Sequence, residues 1–378
     1  MNHQPARLQS ARIRNFKAIT DSGTIKFGPL TVFVGNNGSG KSSLIEALEA
    51  WQNIVLYGLD AAMGRWLGIE HVRHKSLEAK ERAGKAINPI VFQADIGPAP
   101  RKATRLETEV NNTPNGDRMG IVEERLTQPG GGKKFVGRPA NPRLDSGRSY
   151  ISLIPEGFAE SARALYHWQF LSLAPDHMGI PQPQQRTEGN VRLRRDGANI
   201  ADYLLEIRSL SLDAFESIVR TMAYVLPYAS DLQPAVTSEL ERKAYLQLTE
   251  ADYKIPGWML STGTLRVLAL LAVLRHPNPP PLVVIEEIEN GLDPRSIHLI
   301  VEEIRTAVLS GITQVIVTTH SPYLLDLLTL DQIVLVTRDD EGHPEFLRPS
   351  SSESLQRWSQ EFAPGRLYTM GKLHEAAR

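Results

Sequence analysis

The chain has 378 residues, a formal net charge of −1 and no cysteine. The lack of thiols excludes disulfides, thiolate metal sites and cysteine nucleophiles, and no run approaches the about 20 apolar residues that span a bilayer. The near-zero net charge is silent on nucleic acid, because a local patch matters more than the sum, and the length allows one large or two ordinary domains. Met1 to Gln9 has no apolar signal-peptide core, so a cytoplasmic protein without membrane contact is expected.

In chain order, the first strong signal is Leu30-Thr31-Val32-Phe33-Val34, an apolar, β-branched run that predicts a buried strand. It leads into Gly35-Asn36-Asn37-Gly38-Ser39-Gly40-Lys41-Ser42, which satisfies G-x-x-x-x-G-K-[ST] at every position. Ser43 to Leu48 then has helical spacing. Glycines let successive N–H groups turn towards phosphate oxygens, and the helix amino end adds its dipole. Gly35, Asn36, Asn37, Gly38, Ser39, Gly40, Lys41, Ser42 and Ser43 are therefore the candidate ATP contacts. Lys41 adds charge near the β- and γ-phosphates, and the Ser42 hydroxyl is offered to Mg²⁺.

Ile90 to Ala94, Arg105 to Val110 and Gly120 to Leu126 have strand character. From Gln128 to Arg148 the chain is rich in glycine, proline and basic residues, without apolar periodicity, and a mobile loop is predicted. Residues 158–172 and 198–226 are helical by pattern, with Asp213 as the expected cap. No heptad run is sustained, so no long coiled coil is expected. Basic residues cluster at Lys133, Lys134, Arg138, Arg143 and Arg148, then at Arg186, Arg192, Arg194 and Arg195. Such a loop could track a DNA backbone without reading sequence or could be a solvated surface. Glu188 and Asp196 weaken the second cluster, and aromatic interleaving of the kind that stacks bases is absent from 129–148.

Leu260-Ser261-Thr262-Gly263-Thr264-Leu265-Arg266 precedes an apolar helix, Val267 to Leu274. Ser261 and Gly263 at that helix start make a second phosphate-binding point, although a serine there is also an ordinary cap. Pro281 to Ile285 reads as a buried strand ending in Glu286 and Glu287. Carboxyl ends of strands are where α/β sheets bind ligands, so Glu286 is expected to hold Mg²⁺ and Glu287 to orient or deprotonate the attacking water. Gln314 to Thr319 predicts another strand, with His320 at its carboxyl end in reach of a γ-phosphate. The candidate catalytic set is thus Lys41, Glu287 and His320, and the metal set is Ser42 and Glu286.

The order GNNGSGKS, LSTGTLR, VVIEEIENGLDP, TTHSP resembles the ATPase head of ABC proteins, in the soluble RecF/SMC-like branch often labelled AAA-family ATPase. Ala11 to Ile19 is similar to that branch's opening strand. The resemblance is specific over residues 8–50 and 255–330. It implies an α/β P-loop NTPase fold, an ABC ATPase head with a mixed sheet, an antiparallel β arm and a helical insertion lobe. The head would comprise 1–128 and 240–378, and the insertion, basic loop plus helical lobe, 129–239. It further implies Walker A at Gly35 to Ser42, Walker B at Glu286, the signature at Ser261 to Arg266, the D-loop at Asn290 to Pro294 and His320 as switch. Glu286 stands where an aspartate is commoner, and the Q-loop glutamine is either Gln93 or Gln169.

What the resemblance implies for function is an ATPase whose two heads sandwich ATP and Mg²⁺ in a homodimer or higher homo-oligomer. Ser261 and Gly263 of one head would meet the γ-phosphate held by Lys41 of the other. Such heads act in anti-phage defence or DNA repair, often beside a separate Toprim-type nuclease; the chain after His320 leaves no room for a fused one. Two alternatives stand beside this. One is a slow or inactive nucleotide-sensing scaffold that recruits an effector without binding DNA. The other is a transporter ATP-binding subunit, disfavoured by the long insertion and by the lack of a glutamine in LSTGTLR.

Overall fold

The computed structural model describes residues 5–74, 88–112, 118–136, 145–185, 191–238 and 240–375. By contacts the chain divides into two compact units, Met1–Trp168 with Leu328–Arg378, and Gln169–Leu327. These boundaries do not coincide with the head-and-insertion division at 128/129 and 239/240.

The first unit is built on two sets of strands. One is a seven-stranded antiparallel sheet in the order Ile19–Asp21, Arg7–Phe16, Ile90–Gly97, Thr104–Asn112, Met119–Thr127, Lys134–Val136, with Ile25–Lys26 also on Arg7–Phe16. The three strands expected after the P-loop helix are all in it. In the other set, Leu30–Val34 lies parallel to Ile333–Arg338, which pairs antiparallel with Pro344–Leu347. All five residues of Leu30–Val34 are buried, which explains a run that is apolar but for Thr31.

The helix Lys41–Tyr57 carries the core of this unit, burying Leu44, Ile45, Leu48, Trp51, Ile54 and Val55. Trp51 stacks on Phe92 with ring centroids 6.2 Å apart, and its indole N–H donates to Thr108 Oγ1 at 2.9 Å. A buried indole with its donor satisfied contributes area without a desolvation cost.

Three expectations need correction. The Gln128 to Arg148 stretch is not wholly irregular. Lys134–Val136 is a strand on Met119–Thr127, and Phe135 stacks on Tyr150 at 4.2 Å. Arg138 and Arg143 of that stretch lie outside the described residues, as do Arg186 and Glu188. The pattern over 158–172 is not one helix either: the helix is Ala159–Tyr166, and Gln169–Leu171 is a strand. The helix stops where Gln52, buried on a distant helix, donates to the Leu165, Tyr166 and Trp168 carbonyls. That side chain satisfies the orphan carbonyls every helix end leaves. Finally, 198–226 is two helices, Ile200–Leu210 and Leu212–Val225, and the cap of the second is Ser211, not Asp213.

Ser211 Oγ accepts the Ala214 N–H at 3.2 Å, and Asp213 sits in the first turn. Ser211→Ala should therefore cost ~1 kcal/mol, the usual worth of an N-cap, read as a lower urea midpoint. Asp213→Ala should cost less, and the reverse order would restore Asp213 as the cap.

In the second unit, Gln169–Leu171, Leu282–Ile285 and Gln314–Thr319 run parallel, with Leu282–Ile285 in the middle. Thr262–Leu274 is apolar nearly all round and buried nearly all round, as such a helix must be. Pro294–Leu309 instead shows one buried face. A small antiparallel sheet, not expected from the sequence, joins Ala229–Val236 to Lys243–Glu250, with Gln182–Pro183 and Tyr253–Pro256 on the other side of Lys243–Glu250. No helix among the described residues is long and apolar enough to cross a membrane.

Candidate nucleotide-binding site

In the first unit, the loop between Leu30–Val34 and Lys41–Tyr57 is shaped by its glycines. A Cβ on Gly35 would lie 2.1 Å from Val336 O, and one on Gly40 would lie 2.6 Å from the Pro344 ring. Gly38 and Gly40 have φ of 75° and 117°, the left-handed region that side chains disfavour. Arg338 clamps the loop from outside, its Nε and Nη2 donating to Gly38 O at 2.9 and 2.5 Å. Tyr368 donates its hydroxyl to Asn36 Oδ1 at 3.4 Å.

The helix begins with no side-chain cap, and its amino end is the end that attracts an anion. Lys41 is only 6% exposed and folds back on the loop, donating to Gly35 O at 2.7 Å and Asn36 O at 3.0 Å. Ser39 Oγ is buried without a hydrogen-bond partner among the described residues. Ser42 is exposed and Ser43 half-buried. An uncapped helix start, an orphaned buried hydroxyl and a cradle that Cβ atoms would fill together fit a nucleotide polyphosphate.

The second unit brings Glu286, Glu287, His320, Ser261 and Gly263 onto neighbouring elements. The Glu286 N–H donates to Leu171 O at 2.9 Å, and its carboxylate is ion-paired with Arg195. Glu287 has φ 47°, uncommon for a non-glycine residue and a form of strain that gathers at functional sites. Thr318 holds it there: Glu287 N–H donates to Thr318 Oγ1 at 2.9 Å and Ile288 N–H to Thr318 O at 3.3 Å. Asn290 Nδ2 donates to Glu287 Oε2 at 2.5 Å. The backbone N–H of His320 donates to Glu289 Oε1 at 2.5 Å, while Glu289 Oε2 is buried without a partner among the described residues.

Ser261 is the N-cap of Thr262–Leu274, accepting the Thr264 N–H at 3.1 Å, and it is exposed. Gly263 is needed for close packing, since a Cβ there would lie 2.6 Å from Gly291 O. Arg266 binds Leu173 O at 2.9 Å; burial holds its pKa below the usual value, with Glu287 and Glu289 pulling it back up. Asp293 ends the D-loop stretch as the cap of Pro294–Leu309, accepting from Arg295 N, Ser296 N and Ser296 Oγ.

Several of these groups were not foreseen. Arg338 and Pro344 lie outside every motif, and Thr318, though inside TTHSP, carries no mark of its hold on Glu287. Glu289 carried a signal, as a third acid two positions after the expected pair. Arg195, in a cluster left open between a nucleic-acid face and a solvated surface, is ion-paired with Glu286. Arg194 pairs with Asp196 at 3.2 Å, Lys133 with Glu156 at 3.6 Å, and Arg148 donates to Tyr57 O at 3.2 Å. Of the two glutamines, Gln93 lies mid-strand opposite Arg12, and Gln169 Nε2 donates to Leu193 O at 2.8 Å and Phe170 O at 3.2 Å.

Comparison with known proteins supplies the family. The family model described as "AAA domain, putative AbiEii toxin, Type IV TA system" matches residues 138–326, half of the chain, and one described as "AAA domain" matches 10–128. Among solved structures, the chain is similar to an Smc head bound to the C-terminal winged-helix domain of ScpA, at 17% identity and TM-score 0.52, over 90% of this chain and 97% of that one. It is also similar to the Pyrococcus furiosus Smc head domain with an extended coiled coil, bound to the C-terminal domain of ScpA, at 14% identity and TM-score 0.57, over 94% and 99%. No curated protein matches. The longest described helix, Lys41–Tyr57, has 17 residues, so no long coiled coil is present among the described residues. The fold is that of an SMC-type P-loop ATPase head, and the chain belongs to the first of these AAA-domain families.

Proposed function

We propose that the protein binds ATP with Mg²⁺ and hydrolyses it, using the nucleotide to join two copies head to head. The observation that carries this reading is the phosphate cradle of Gly35 to Ser42, whose glycines are demanded by Val336 and Pro344 and whose helix start is uncapped. Lys41 would leave the Gly35 and Asn36 carbonyls for the β- and γ-phosphates. Ser42 and Glu286 would hold the metal. Bound Mg²⁺ supplies charge neutralisation at the phosphates, and the rest of the catalysis is positioning and electrostatics. Glu287 would accept a proton from water, and His320 would steady the γ-phosphate. Ser261 and Gly263 would act from the second copy.

A DNA-linked role is supported by the motif order, which resembles RecF/SMC-like heads, and a defence role by the family description, which names a toxin–antitoxin system. In this reading a separate effector, a nuclease of Toprim type, executes the response, and the ATPase times it. The nucleotide-sensing scaffold remains the second reading, favoured by one observation: both Lys41 and Glu286 are already engaged by protein groups, a resting arrangement that would turn over slowly.

Lys41→Ala tests the central claim. Binding of a fluorescent ATP analogue should weaken by roughly ten- to a hundredfold, the scale of ~1.5–3 kcal/mol for hydrogen bonds to a charged group. Unchanged affinity would remove the phosphate-cradle reading.

A further inference from the structure

A short backbone scaffold delivers a guanidinium to the acid proposed for the metal. Glu286 N–H donates to Leu171 O at 2.9 Å; at the next residue, Ser172 N–H donates to Arg195 O at 2.8 Å, and Ala174 N–H donates to Asp196 O at 2.9 Å. The turn bearing Arg195 is braced from within. Gly197 N–H donates to Arg194 O at 2.9 Å, Arg194 N–H to Asn199 Oδ1 at 2.7 Å, and Ala198 N–H to Asp196 Oδ1 at 3.1 Å. Gly197 has φ 75°, and a Cβ there would press on Leu173 and Met178 at 3.0 Å. Arg195 Nη2 and Glu286 Oε1 therefore meet as an ion pair on fixed backbone, with side chains 31% and 13% exposed.

We propose that Arg195 is the resident counter-cation of Glu286 and competes with Mg²⁺ for its carboxylate, so that magnesium loads by displacing the guanidinium. This rests on Glu286 being the metal-binding acid. A half-buried carboxylate needs a partner charge, because an uncompensated one is strongly destabilising. Arg195 supplies that partner while no metal is present. Mg²⁺ demands near-ideal octahedral oxygen geometry at short range, so a guanidinium against Oε1 and a metal on the same carboxylate exclude and repel one another. Glutamate at position 286 has one methylene more than aspartate, which gives the carboxylate reach to pass between the two cations. The device raises the Mg²⁺ concentration at which nucleotide is held tightly and couples metal loading to movement of the Arg194–Asn199 turn.

The test titrates MgCl₂ against binding of a fluorescent ATP analogue at fixed concentration. Arg195→Gln should reach half-maximal tightening at roughly tenfold lower Mg²⁺ than the parent, within the usual range of coupled sites. In EDTA it should melt earlier than the parent, and MgCl₂ with the analogue should restore more of its stability. Arg195→Lys keeps a charge but loses the planar fork, so its midpoint should fall between the two; if the Gln variant does not fold, this shift decides. An unchanged or higher Mg²⁺ midpoint overturns the proposal and leaves Arg195 a structural prop. If Glu286→Gln leaves the parent's Mg²⁺ requirement intact, what fails is the reading of Glu286, and the competition falls with it.

Discussion

The Glu287→Gln protein should bind ATP as tightly as the parent and hydrolyse it roughly 10²–10⁴-fold more slowly, the contribution expected of a general base. The substitution is nearly isosteric, so it changes the ability to take a proton and little else. The backbone at 287 stays in its left-handed conformation because Thr318 holds it, through the 2.9 Å bond from Glu287 N–H and the 3.3 Å bond from Ile288 N–H. The amide oxygen of glutamine can still accept from Asn290, as Glu287 Oε2 does. Because hydrolysis is what separates the joined heads in the proposed cycle, this variant should also accumulate as an ATP-dependent dimer on size exclusion. Single-turnover hydrolysis measured beside analogue binding separates the outcomes. A parent-like rate would move the base elsewhere, and lost binding would mean that Glu287 serves the ground state.

The parts of this site legible in the sequence are those whose physical requirement is local. Gly35 to Ser42 is one contiguous turn between a strand and a helix, so spacing alone carries the geometry. The same holds for Glu286 and Glu287 at a strand end and for His320 after Gln314–Thr319. What stayed illegible depends on partners far along the chain. Gly35 is glycine because of Val336, and Gly40 because of Pro344. The helix over 158–172 is cut short by Gln52, and Gln169–Leu171 becomes a strand because Leu282–Ile285 lies beside it. Nothing in a helical pattern announces either.

The role of the basic residues stayed open for a related reason. A run of arginines looks like a surface that waits for phosphates, yet Arg195 is spent on Glu286 and Arg194 on Asp196. Composition counts cations and cannot say which carboxylate each one faces. Ser211 shows the same effect on a small scale: serine and aspartate two positions apart are both good caps, and only the backbone at the start of Leu212–Val225 selects between them.

Mixing two dead variants should restore activity, and this is the sharpest test of a site shared between copies. Ser261→Arg places bulk and positive charge at an exposed helix start, where the proposed partner's γ-phosphate would sit. It also removes the cap on Thr264, a loss of ~1 kcal/mol, so Ser261→Ala serves as the control for stability alone. Each Ser261→Arg chain keeps Lys41 and Ser42 and should bind the ATP analogue, yet hydrolysis should fail. Lys41→Ala fails at binding instead. In a mixed dimer, Lys41 from the Ser261→Arg chain and Ser261 from the Lys41→Ala chain form one intact site, and the other site is doubly defective. Equal mixing makes half of the dimers mixed, each with one good site of two, so recovery should approach about a quarter of parental turnover for a two-fold assembly. Inactive mixtures in which mixed dimers are demonstrated by tagged co-purification would show that each chain completes its own site, and Ser261 would then be a helix cap and no more.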